Sequence, residues 1–393
     1  MSAELEIRQI DGLQDIPATD WDRIAGAGNP FLRHAFLNGL EEHDCLGAQG
    51  WQPCHLAAWC GSRLIGALPL YLRSNSYGEF VFDWAWADAY QRAGGRYYPK
   101  LVSAIPFTPV CGPRLLVDGA YPGADTLREQ LAAAALQVAE RNALSSVHCL
   151  FPAAGDEQSL VRNGFLLRKT CQFHWFNPGY RDFQDFLDAL SSKRRKEIRR
   201  ERRAVGEAAV EVERLGGADI TEAHWRTFYK FYCSTFHRRW GSPRLTLPFF
   251  MSLSRRLPEQ TLLILASRGG RHIAGAFAMI GNDAIYGRHW GCSEDVAFLH
   301  FELCYYQTID LCIERRLSRV DAGVQGEQKL SRGFAPIAAP SFHWLRHPGF
   351  RAAIEDYLER ETRETDAYVE SLNLHLPFRA GGAPIVAGVK DTP

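Results

Sequence analysis

The sequence predicts a mixed α/β (α+β) protein made of two similar halves, each a central, mostly antiparallel sheet flanked by helices. Three observations carry this expectation. Apolar runs of strand length gather in two stretches, around 53–84 and 261–290. Helical patterns precede each stretch, and a helix and a further strand follow it. One hairpin also recurs: 57–72 (AAWCGSRLIGALPLYL) aligns with 265–280 (LASRGGRHIAGAFAMI) at an offset of 208. Ala58/Ala266, Gly61/Gly269, Arg63/Arg271 and Ile65/Ile273 coincide, and the small pair Gly66-Ala67 faces Ala274-Gly275.

The elements follow in order. A helix is expected over 29–44, with Asn29 as its cap, Pro30 in its first turn and Phe31, Ala35, Phe36 and Leu40 along one side. Strands are expected at 53–59, 63–72 and 79–84, separated by turn residues at 60–62 and 74–78. The glycine- and aromatic-rich stretch 90–113 reads as a functional loop. An alanine-rich helix (124–142), a strand (145–151), a short helix (157–163) and a strand (165–176) lead to Asn177-Pro178-Gly179, where the domain boundary is placed. The second half opens with a helix over 183–205 and a strand over 210–215, then aromatic-rich helices over 223–236 and 248–256. Strands at 261–267, 272–280 and 284–290, a helix at 298–316, strands at 317–321 and 337–344 and a long helix at 349–372 complete it. The predicted organisation is 1–179, 180–378 and a loose tail, 379–393.

Composition limits the class. Of 393 residues, 46% are hydrophobic and 23% charged, which excludes wholesale disorder. Lys and Arg total 45, as do Asp and Glu, so zero net charge argues against a generic polyanion binder but leaves room for a local basic patch. None of the ten cysteines forms a C-x-x-C pair, so reduced thiols are expected and no metal is. The start, MSAELEIRQIDG, does not read as a signal peptide, and no apolar run approaches the roughly 20 residues of a membrane span. A cytoplasmic protein without a transmembrane segment is expected.

Four stretches carry a family likeness: EFVFDWAWADAYQRAGGRYYPKL (79–101), LSSKRRKEIRRERRAV (190–205), YGRHWGCSEDVAFLHFELCYYQTIDLCIERRL (286–317) and DAGVQGEQKLSRGF (321–334). Through them the chain resembles the bacterial FemAB-like group of tandem-GNAT N-acyltransferases. The resemblance implies two GNAT-like acyltransferase domains acting in peptidoglycan biosynthesis or recognition. It implies a small-molecule acyl donor and an amine acceptor, with acyl-CoA or aminoacyl-tRNA as co-substrate, a nucleotide-linked cell-wall precursor as a candidate acceptor and no covalently bound cofactor. It says nothing of oligomeric state. In this family a lysine near the turn before Gly-Phe is implicated in substrate handling, and here Lys329 and Arg332 compete for that place.

The residues themselves fit direct attack of an amine on an acyl group. There is no G-x-S-x-G elbow and no cysteine in a nucleophile motif. His289, at a strand end, is a candidate base, with a histidine packed against backbone or a carboxylate as the alternative. Asp321 either positions the amine or merely opens a turn. Arg288, Trp290 and Glu302 surround the expected donor end, and Lys329 or Arg332 would steady a phosphate or oxyanion. The glycine-rich phosphate loop of GNAT enzymes is missing; only Gly291 precedes the helix. Asp83, Trp84, Tyr97 and Lys100 are expected to line an acceptor groove. Over 191–204, eight Lys and Arg against two Glu give 8 − 2 = +6, so Lys193, Arg195, Arg199 and Arg200 mark an anion-binding face. A non-catalytic precursor-binding protein on a degenerate scaffold is the competing expectation.

Overall fold

The computed structural model describes residues 4–237, 241–324 and 326–379. The first half of the chain supplies β1 (Leu5–Ile10), α1 (Ala18–Ala25), α2 (His34–Glu42), β2 (Trp51–Pro53), β3 (His55–Cys60), β4 (Arg63–Leu68), β5 (Tyr71–Arg73), α3 (Trp84–Arg92), β6 (Lys100–Ser103), β7 (Leu116–Val117), α4 (Ala124–Arg141), β8 (Ser146–Leu150), α5 (Ala154–Arg162) and β9 (Leu166–Phe176). The second half supplies α6 (Phe183–Ala189), α7 (Ser192–Glu207), β10 (Glu211–Gly216), α8 (Glu222–His237), α9 (Leu247–Arg256), β11 (Thr261–Arg268), β12 (Arg271–Ile280) and β13 (Ala284–Cys292). A helix follows in three parts, α10 (Leu299–Phe301), a π-helical turn (Glu302–Tyr306) and α11 (Gln307–Glu314), and then β14 (Arg319–Asp321), a 3-10 turn (Glu327–Arg332), β15 (Ala335–Leu345) and α12 (Pro348–Asn373).

The duplication is present in the strand pairing. In the second half β10, β11, β12 and β13 pair antiparallel in sequence order, and β13 pairs parallel with β14. In the first half each of the two central strands is broken in two. β1–β3–β4 pair antiparallel, as do β2–β5–β6, and β6 then pairs parallel with β8. The recurrent hairpin even repeats its irregularity, with a register shift just after Ala58 in β3 and just after Ala266 in β11. Gly66 is small for a packing reason: a Cβ there would stand 3.0 Å from both the Leu116 carbonyl and a Leu127 methyl on α4.

Two expectations are corrected. The third strand of the first half is β6, not 79–84, which forms a bend leading into α3; Phe80 adopts φ 63°, a left-handed conformation no strand contains. The helix expected over 183–205 is two helices, because Leu190 leaves helical geometry to bridge Phe378 and the Ser191 N–H donates to the Pro377 carbonyl.

The boundary also differs from Gly179. The chain divides into one compact unit of residues up to Cys171 with Ala338–Tyr368, and a second of Gln172–Ile337 with the segment from Val369. The physical reason is an exchange of strands. The end of β9 pairs with β14, Asp321 opposite His174, and so belongs with the second unit. The end of β15 pairs with β8, His343 opposite His148, and so belongs with the first. The tail expected beyond Arg379 lies outside the described residues.

Each unit has its own core. In the first, Leu127, Leu131, Ala135 and Val138 of α4 pack on Leu56, Ile65, Leu101 and Val147 of the strands. In the second, Trp225, Phe228 and Tyr232 of α8 meet Phe250 of α9 and Phe277 of β12, with Trp225 stacked on Phe250 at 5.4 Å. Each such side chain contributes about 1.5–3 kcal/mol when fully buried, enough to fix the helices against the sheet.

Candidate active site

In the second unit, β13 and β14 pair in parallel over only three residues, Ala284–Arg319 to Tyr286–Asp321. β14 then ends while β13 continues to Cys292, so the strands part at Tyr286 and Asp321. Just past this point β13 carries a bulge: Phe277 faces His289 and Ala278 faces Gly287, leaving Arg288 out of the β12 ladder. A bulge frees backbone groups and re-aims side chains, and it commonly lies beside a reaction centre. Gly291, the one remnant of a phosphate loop, has a packing role instead. A Cβ there would come within 2.1 Å of the Phe231 carbonyl, so α8 lies against β13 only because this residue is glycine.

Asp321 stands where the strands part. It is buried, and its Oδ1 accepts the Gly323 N–H at 2.9 Å. Burial works against its charge, but His174, the Gly323 N–H and Arg319 together hold its carboxyl below the usual carboxylate range. Its Oδ2 lies 3.4 Å from Nε2 of His174, a residue only 3% exposed. Neither ring nitrogen of His174 makes a hydrogen bond among the described residues, so Nε2 meets Asp321 as a close ion-pair contact and Nδ1 meets no polar partner. Sequence reasoning missed His174. Its only local signal is a polar residue in the apolar run QFHWF, and Asp321 lies far from it in the chain. A buried carboxylate beside an imidazole that no other group claims is the arrangement a general base requires.

The expected residues divide around this dyad. Lys329 is buried, and its Nζ donates to the carbonyls of Ala322 at 2.5 Å and Gly323 at 3.3 Å, 5.6 Å from the centre of the Phe173 ring. It therefore fastens the loop that leaves β14. Arg332, expected as a substrate cation, is instead held inside a buried cluster: it donates to Glu201 at 2.7 Å and Tyr306 at 3.0 Å and lies 3.4 Å over the Phe301 ring. Glu302, expected at the donor end, accepts from both Arg202 and Gln307. His289 is sandwiched among aromatics, stacked on Phe277 with Tyr232 at 4.9 Å. Burial and the guanidiniums of Arg288 and Arg244 push it well below the usual histidine value, which makes it a weak base. Trp290 stands edge-on to His300 at 5.3 Å, and Arg288 is half-buried at the bulge.

In the first unit the expected acceptor groove resolves into two parts. Lys100, fully buried, donates from Nζ to Asp83 at 2.5 Å and to Glu79 and Ser76 at 2.8 Å each, and Tyr97 donates to Asp83 at 2.7 Å. Arg73 completes the cluster by donating to Glu79 at 3.2 Å. Two cations balance two carboxylates in a closed interior, which is a structural arrangement and not a groove. Burial opposes the Lys100 charge, but Asp83 and Glu79 raise its pKa nonetheless. Trp84 turns outward, 48% exposed, against Phe82 at 4.8 Å and Tyr77 at 5.9 Å.

On α7, Arg195 bonds Asp188 at 2.9 Å, Arg199 bonds Gln184 at 2.9 Å and Arg194 bonds Glu197 at 2.7 Å. Lys193, Lys196, Arg200 and Arg203 are exposed and form no ion pair or hydrogen bond among the described residues. Their 3-4-3 spacing sets them in one stripe along the helix. Two of the four expected anion-binding residues, Lys193 and Arg200, thus belong to the stripe, and two are already partnered.

A family model described as FemAB-like, peptidoglycan biosynthesis/recognition, matches residues 12–380. The chain belongs to the FemAB-like family. No curated protein matches it. Among solved structures, this FemAB-like chain is similar to FemX, at 11% identity and TM-score 0.53, over 87% of this chain and 99% of that one. It is also similar to the C-terminal domain of a protein assigned as a lysylphosphatidylglycerol synthetase from Agrobacterium fabrum, at 8% identity and TM-score 0.50, over 87% and 96% of the two chains. A conserved protein from Bacteroides thetaiotaomicron matches at 11% identity and TM-score 0.50, over 86% and 100%. These likenesses establish the fold, two GNAT-like units in tandem, and the family makes the chain a transferase. Among the described residues no helix is long and apolar enough to cross a membrane.

Proposed function

We propose that this FemAB-like chain transfers an acyl or aminoacyl group to an amine by direct attack, with the opening between β13 and β14 as the transfer site. The single observation that carries the reading is the close His174–Asp321 pair at the strand end, in which the imidazole has no other partner among the described residues. With Asp321 ionised, His174 Nε2–H points to the carboxylate and Nδ1 is left to accept a proton. The acceptor amine attacks the acyl carbon and forms the new C–N bond. The amine proton passes to Nδ1, the bond from carbon to the leaving oxygen or sulfur breaks, and the leaving group takes that proton. Lys329 acts as a positioning residue, holding the Ala322–Gly323 loop and with it Asp321.

Aminoacyl-tRNA is the donor the surface favours over acyl-CoA. The phosphate-loop glycine of β13 is taken up by helix packing, whereas α7 offers four unpaired cations in a row. A precursor of the cell wall carrying a free amine is the acceptor consistent with the family. The test is a donor panel: thiol release from acyl-CoAs beside transfer of labelled amino acid from aminoacyl-tRNA to amine acceptors. His174→Gln should lower turnover by about 10²–10⁴-fold with little change in Tm. Full activity of that variant would remove His174 as the base. Binding of a precursor with no transfer from any donor would favour the non-catalytic reading.

A further inference from the structure

Glu213, His224 and His272 play no part in the transfer site. They come from three elements of the second unit: β10, the first turn of α8 and the start of β12. One nitrogen or oxygen from each lies within 4.8 Å of the other two. His272 Nε2 is 3.0 Å from Glu213 Oε1, and the His224 ring stands edge-on to His272 with centroids 5.7 Å apart. The His272–Glu213 bond explains two members of the group. The third, His224, makes no hydrogen bond to either of them and presents only its ring to His272.

Two imidazoles and a carboxylate are donors suited to a borderline divalent transition ion. In a tetrahedral zinc site with bonds of about 2.0–2.2 Å, neighbouring donor atoms stand roughly 3.3 Å apart. Side-chain rotation of about an ångström would close this triad around such an ion without moving the backbone. Glu213 is exposed and both histidines are half-buried, so an ion arrives directly from solvent. We infer that Glu213, His224 and His272 form a Zn²⁺-class site, with water in the fourth position, that ties the edge strand β10 to β12 and α8. The His224 Nδ1 accepts the Thr221 N–H at 3.2 Å. Ligation through Nε2 needs the ring proton on Nδ1, so that bond is given up on binding, while the Thr221 hydroxyl still caps the helix by accepting the His224 N–H.

The test uses the tag-free full chain stripped with EDTA and titrated with ZnCl₂ by calorimetry, with Tm followed in parallel. Wild type should bind one equivalent that the His224→Ala/His272→Ala double variant lacks, and its Tm should rise with Zn²⁺ where the variant's does not. Glu213→Gln, which alters only an exposed side chain, should weaken the same equivalent by at least about 10-fold. Co²⁺ bound there should show ligand-field absorption without a thiolate charge-transfer band. Equal stoichiometry and equal Zn²⁺-dependent Tm in wild type and variants would overturn the proposal, as would a thiolate band from the one bound Co²⁺.

Discussion

The two units end their parallel strand pairs in opposite ways. In the first, the end of β8 is stoppered. Gly112 donates to the Phe151 carbonyl, and the fully buried Arg114 donates to the carbonyls of Leu150 at 3.0 Å, Gly112 at 2.9 Å and Val110 at 2.7 Å. Asp156 accepts the Arg114 and Leu115 N–H groups. In the second unit, Lys329 secures the carbonyls after β14 in a comparable way, but the chain there also carries Asp321 and His174, whose ring nitrogens make no hydrogen bond among the described residues. The same scaffold, copied, thus carries a finished structural joint in one copy and a buried carboxylate–imidazole pair in the other. Duplicating a fold does not duplicate its chemistry, because the strand end is where each copy is free to differ.

The strongest way to break this comparison is to exchange the expected losses. His174→Gln should abolish most activity, by about 10²–10⁴-fold, and leave Tm nearly unchanged. Arg114→Leu should do the reverse. The buried carbonyls of Leu150 and Val110 would be deprived of their donor, each worth about 1–3 kcal/mol, so chemical denaturation should show a loss of at least about 2 kcal/mol with kcat retained by the folded fraction. If Arg114→Leu abolishes turnover in protein that remains folded, the first unit also holds part of the site.

A smaller effect concerns pH. In the first unit His148 is buried, with its Nδ1 2.6 Å from that of His343, and its Nε2 bonds Ser146 at 2.8 Å. Burial and the Lys100 charge push His148 down to about 3 from its ordinary 6.5, despite the pull of Asp83, and His343 is also lowered. A histidine depressed in the folded state binds its proton preferentially when unfolded. The stability it contributes is therefore intact above about pH 6.5 and falls steadily as pH drops toward 3. Tm measured from pH 7 to pH 4 should decline, and His148→Asn should decline less. An equal decline would place the acid sensitivity elsewhere.

The smallest expected effect lies on α7. Lys196→Glu/Arg200→Glu should weaken binding of a tRNA donor and flatten its salt dependence by about 0.7–0.9 in log–log slope for each phosphate the helix no longer neutralises. Donor binding unmoved by salt and by this reversal would leave the stripe a solvated surface.

Much of the fold was legible because its signals are local. The alternation and turn residues of 57–72 and 265–280 located both hairpins, and even their shared bulge falls at the aligned alanines, Ala58 and Ala266. The 79–84 segment misled because Phe80-Val81-Phe82 has strand composition, while its conformation is set by partners elsewhere. Asp83, at the start of α3, makes no cap bond because Lys100, Tyr97 and Ser76 claim its carboxylate. Of the site, Asp321 and Lys329 were legible as polar residues after a strand. His289 and Arg332 were equally conspicuous, and nothing in the chain said that one would stack on Phe277 and the other pair with Glu201.

By itself, then, the sequence determined what depends on neighbours within a few turns: the periodicity of strands and helices, the repeated hairpin and the net +6 of the basic helix. Only the tertiary structure decided which charges are spent on one another, which strand ends are closed and which residues distant in the chain meet. The exchange of β9 and β15 set His174 opposite Asp321, and the packing of α8 set His224 beside Glu213 and His272. Pairings of this kind follow from the register of strands and helices far apart in the chain, and a residue's own neighbours carry no record of that register.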